Sequence, residues 1–81
     1  MAPVHTLQDR VQKIDQQMID LAAERTTLCQ QLIEEHEEVA EEIAAETVGL
    51  WSDAADEHGW PMGVTAKIAR GFIDLCRVQG E

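Results

Sequence analysis

From Leu7 onward the apolar positions run Leu7, Val11, Ile14, Met18, Leu21, then Leu28 and Leu32. Steps of four and three alternate, which is the seam of a helix that packs along its length against another helix. One member of the seam is replaced, because Arg25 stands where an apolar residue is due. Thr6 followed by Asp9 resembles a capping box and puts the expected helix start at Leu7. Gln8, Asp15, Ala22, Cys29 and His36 recur along one flank of the seam.

After Val39 the seam fails, since its next positions are Glu42 and Glu46, and an apolar pattern restarts in a new phase with Ile43, Leu50, Trp51 and Ala54. Seven glutamates crowd the thirteen residues 34–46, and Glu34, Glu38, Glu42 and Glu46 are like charges at i,i+4 spacing. A hinge between about Glu37 and Glu42 fits both facts. No Gly, Pro, Asn or Ser stands there, so one continuous helix through Val48 is the alternative. A second helical segment runs to about Glu57, with Gly59 placed to end it. Trp60-Pro61 leads into a third helix, roughly Met62 to Val78, with Val64, Ile68, Phe72, Leu75 and Cys76 at helical spacing. Strand signals are missing throughout. The expected fold is all-α: a single domain over residues 1–81 with three helices, one long and two short.

Length turns this pattern into a statement about assembly. A first helix from Leu7 to about Glu42 would be roughly 54 Å long, against a radius of gyration of about 12 Å for a compact chain of this size. The remaining residues are too few to cover its seam. We therefore expect an intertwined helical homodimer, in which the long helix packs against its copy.

Charge and composition narrow the partners. Acidic residues outnumber basic ones 16 to 6 and the net charge is −10, which argues against nucleic acid and anionic membranes. An apolar content of 44% is too high for a disordered acidic tail, and no apolar run spans a bilayer. The N-terminus has no secretory apolar region. Cys29 and Cys76 fall inside helical patterns and do not make a disulfide framework, so reduced thiols and a cytoplasmic location are the simpler expectation. The Glu34-Glu35-His36-Glu37-Glu38 run is rich in metal ligands, but the Glu-x-x-His step of helical di-metal centres is missing. A solvated acidic face is the reading there, with no metal and no cofactor. Trp51 and Trp60 read as core rather than as exposed anchors.

The chemistry centres on Arg25. A guanidinium in an apolar seam is costly unless something anionic meets it. A structural ion pair with a neighbouring Glu or Asp is one outcome, and an anion-binding pocket inside the bundle is the other. The register Leu7, Val11, Ile14, Asp15, followed by Leu21-Ala22-Ala23-Glu24-Arg25, resembles the first helix of the all-helical (type II) chorismate mutases. The resemblance is specific over residues 7–36, and residues 55–79 fit the family's last helix loosely. It implies an intertwined homodimer whose sites bind a small dicarboxylate, chorismate, and rearrange it to prephenate in the shikimate pathway. That rearrangement needs cations and hydrogen-bond donors, without nucleophile, general base or cofactor.

The resemblance also implies site residues. Arg25 is the carboxylate clamp carried over intact. Gln8 falls where the family has an Arg, and His36 where it has the catalytic Lys, so catalysis would rest on Arg25 and a protonated His36. Cys76 and Gln79 fall at or near the family's late substrate-binding positions. Each lost charge-assisted hydrogen bond is worth about 1.5–3 kcal/mol, so ordinary mutase activity is expected to be weak, altered or lost. The alternative is a non-catalytic binding or regulatory module that acts through a partner enzyme, and an acidic metal-binding bundle ranks below both.

Overall fold

The structure is a computed structural model and describes residues 3–77. It is all-helical: α1 spans Val4–Glu35, a 3-10 turn covers Glu37–Val39, α2 spans Ala40–His58 and α3 spans Met62–Arg77. No strand occurs among the described residues.

Helix α1 begins three residues before the expected start. Pro3, in extended backbone, is the N-cap, and its carbonyl accepts the amides of Thr6 and Leu7 at 3.1 Å each. Pro has no amide to leave unpaired and its ring favours this entry, so the start moves upstream and Thr6 becomes an interior residue. The chain then breaks at His36, whose backbone (φ −142°, ψ 72°) leaves the helical region while its amide still reaches the Leu32 carbonyl at 2.8 Å. The glutamate run explains a break without Gly or Pro. Glu34 and Glu35 sit at the negative end of α1, where the dipole disfavours them, whereas Glu41 and Glu42 sit in the first turn of α2, where it favours them. The continuous-helix alternative is therefore not the one adopted.

Helix α2 ends as its sequence requires. Gly59 takes the left-handed conformation (φ 68°), and the amides of Gly59 and Trp60 both point at the Ala55 carbonyl. The Pro61 carbonyl then accepts the amides of Val64 and Thr65, which opens α3.

The interior is made of small residues. Ala55, Ala69, Thr47, Thr65, Cys29 and Cys76 are buried, and Thr65 is the largest side chain that is fully enclosed. Helices that meet at Ala and Thr approach closely, and Trp51 stacks on Phe72 (5.8 Å, 16°) beside that contact. The sequence pattern pointed elsewhere for several positions. Leu50 is 71% exposed, and the α2 residues turned inward are Ile43, Thr47, Trp51 and Ala55, four apart. On α3 the buried set is Thr65, Ala69 and Cys76, while Val64, Ile68 and Leu75 are exposed. Trp51 is half-buried, whereas Trp60 is exposed and stacks on His58 at 4.6 Å.

Cys29 and Cys76 form a disulfide, with Cα atoms 5.8 Å apart and a separation of 47 positions in sequence. This corrects the expectation of two reduced thiols. The bond joins α1 to α3, and α1 meets the α2–α3 hairpin chiefly through α3. Beyond this attachment α1 projects as a bare arm, and every described residue from Pro3 to Leu21 is exposed. The molecule measures 51 × 30 × 16 Å with a radius of gyration of 15.4 Å, against about 12 Å for a compact chain of this length.

Candidate functional site

Two contacts between side chains, one helical turn apart, join α1 to α3. Arg25 lies over the Phe72 ring, 5.5 Å from its centroid, and one turn further on each helix Cys29 is bonded to Cys76. The numbering rises in the same direction on both helices, so they run parallel here. The Gln30 side-chain amide donates to the Leu75 carbonyl at 3.3 Å on the same seam. The disulfide thus holds Phe72 beneath the guanidinium, where the ring face attracts the cation.

Helix α2 supplies the third support. Arg25 Nη2 donates to Thr47 Oγ1 at 2.7 Å, and Thr47 Oγ1 donates to the Ile43 carbonyl at 2.8 Å. Thr47 is only 4% exposed, and its hydroxyl is thereby used both as donor and as acceptor. Arg25 Nη1 is shielded from solvent and has no hydrogen-bond partner among the described residues. No carboxylate pairs with Arg25 among the described residues, so no ion pair within them explains a charged seam residue.

Arg25 borders an open groove of about 630 Å³. Its walls are Met18, Leu21, Leu28 and Leu32 from α1, Ile43 and Trp51 from α2, and Phe72 from α3. Glu24 and Arg25 are the charged residues on its border. A second space of only about 10 Å³ lies between Arg25, Thr47, the disulfide and Arg77.

The other residues singled out by sequence lie apart from this site. His36 closes α1, is largely exposed, and its Nδ1 lies 3.8 Å from a Glu38 carboxylate oxygen; it does not line the groove. Gln8 stands on the bare arm beside Val4, Leu7, Val11 and Gln12. Cys76 is the disulfide partner of Cys29, so it has no thiol to offer a ligand, which corrects its assignment as a binding group. Gln79 lies outside the described residues. Among the described residues no cluster of His, Cys, Asp or Glu could hold a metal ion, and no helix is long and apolar enough to cross a membrane.

Thr47 and Phe72 are the residues that sequence reasoning missed as parts of the Arg25 site. Extending Ile43 by steps of four reaches Thr47, Trp51 and Ala55, so the register was present, but a hydroxyl among glutamates reads as surface.

Comparison with known proteins found no matching family model, no matching curated protein and no matching solved structure. What this chain does is therefore argued from its own residues.

Proposed function

We propose that this chain is a chorismate-mutase-like helical protein that pairs with a second copy along α1 and binds a carboxylate ligand at Arg25. Ordinary rearrangement of chorismate to prephenate is weak, altered or lost in it. The observation that carries the reading is Arg25 itself. It is a cation set in an apolar stripe, steadied by Thr47 and Phe72, with no carboxylate partner and one amino group unpaired among the described residues. An unpaired buried donor is costly, and an arriving anion turns that cost into a charge-assisted hydrogen bond.

Area supports the pairing. The chain exposes 6618 Å², whereas a compact protein of 9.0 kDa exposes about 4,900 Å². The excess, about 1,700 Å², is of the size that each partner contributes to an obligate dimer, roughly 1,000–2,500 Å². Val11, Ile14, Met18, Leu21 and Leu28 are each more than half exposed in the single chain. A lone helical arm of this length is marginal in water, so a helix that carries such a stripe calls for a partner.

Two measurements on the full chain test the reading. Sedimentation at micromolar concentration should give a dimer, and a lone chain would remove the pairing. Chorismate consumption, followed from pH 5 to 8, should be slow and should vanish in Arg25→Ala. Consumption that survives this change would remove Arg25 from the chemistry. Neither loss nor binding of chorismate at any pH would leave a non-catalytic module that acts through a protein partner.

A further inference from the structure

Resting on the Arg25 reading above, we infer that the groove takes a ring-bearing monocarboxylate and discriminates against dianions. Charge complementarity carries the argument. The groove is bordered by one cation and one carboxylate, Arg25 and Glu24, and the rest of its lining is apolar or, at Cys29, tied up in the disulfide. Arg25 has committed Nη2 to Thr47 and one face to Phe72, which leaves Nη1 as its unpaired amino group. Arg25 as a whole is half-buried and borders the groove. That is provision for one carboxylate.

A second carboxylate has nothing to meet. Arg77 borders the small space behind Thr47 rather than the groove, and His36 lies off it. A second copy, packed along the stripe, brings Gln8 on the flank shared with Cys29, and Gln8 is neutral. Arg10 of that copy lies on the opposite flank of the seam, the flank that carries Glu24, so the carboxylate it would meet is Glu24. A dianion would therefore set one charge against leucines or beside Glu24, and an unpaired charge in apolar surroundings is strongly disfavoured. The body of the ligand follows from the walls: Trp51 and Phe72 border the groove among aliphatic side chains, a lining that suits a small ring system.

Three probes with one ring and different charge test this on the full chain: benzamide, benzoate and isophthalate, titrated at pH 7 while Trp51 and Phe72 are followed by NMR. Benzoate should bind at least tenfold tighter than either of the others. Arg25→Gln should erase its advantage over benzamide. Thr47→Val should reduce that advantage and Thr47→Ser preserve it, while all three variants keep the wild-type helical signal. Isophthalate binding as tightly as benzoate would overturn the inference and leave Arg25 as an anion site. Benzamide equal to benzoate in the wild-type protein would overturn both, because the site would then not read charge. No shift with any probe would overturn the inference by showing the groove already filled by the second copy, and the chorismate assay would still decide the broader reading.

Discussion

Reducing the Cys29–Cys76 bond removes the main tie between α1 and the α2–α3 hairpin. The cross-link spans 47 positions, and closing a loop of that length in the unfolded chain is worth about 4 kcal/mol at 25 °C. A chain of 81 residues has a total stability of roughly 4–12 kcal/mol, so reduction takes away between a third and all of it. The interior cannot compensate, since its fully enclosed side chains are no larger than Thr65. Urea unfolding, followed by helical signal at one fixed protein concentration, is the assay, with and without a phosphine reductant. With a urea slope of about 1–2 kcal/mol/M, the midpoint should fall by about 2–4 M. The Cys29→Ser, Cys76→Ser double variant should match the reduced protein. A midpoint that does not move, or two free thiols titrated in the unreduced protein after denaturation, would refute the reasoning.

Thr47→Val leaves a second guanidinium donor unpaired in a half-buried place and should cost about 1–3 kcal/mol in urea unfolding, whereas Thr47→Ser should cost less than 1 kcal/mol. Gly59→Ala meets no atom within 4 Å, so its cost is only that of holding a side chain at φ 68°, about 1 kcal/mol by the same measurement. Leu21→Asp with Leu28→Asp should abolish pairing, because each lost Leu burial is worth about 1.5–3 kcal/mol and counts twice in a symmetric dimer. Sedimentation should then report single chains, and far-ultraviolet circular dichroism should report partial loss of α1.

The helical class, the turn at Gly59 and the oddity of Arg25 were legible in the sequence because each has a local cause, and the break was legible as one of two alternatives, placed just after His36, where it falls. A seam repeats, glutamates repel, glycine admits positive φ, and a charge interrupts an apolar stripe. The misses share a different cause. Pattern reading ranks positions by hydrophobicity and so chose Leu50, Val64, Ile68 and Leu75, whereas close helix contact selects small residues and buried Ala55, Thr65 and Ala69 instead. The disulfide was not legible because two cysteines 47 positions apart on separate helices carry no sign of proximity until α3 is laid parallel to α1. Thr47 was missed because its value lies in one hydrogen bond to a residue 22 positions away.

Small residues inside and large apolar residues outside fit the pairing proposed above, and for that pairing the distribution of charge argues for one direction. Seven of the sixteen acidic residues fall within residues 34–46, at the far end of α1 from its bare arm. A parallel pair would bring two such clusters together, with like charges adjoining along the hinge. An antiparallel pair places them at opposite ends of a helix about 48 Å long, many screening lengths apart. It also sets the glutamates near the arm of the other copy, where Arg10 and Lys13 stand. The same arrangement would run the arm's apolar stripe alongside the stripe that borders Arg25, so in the proposed pair a single choice of direction relieves the repulsion and covers the apolar surface.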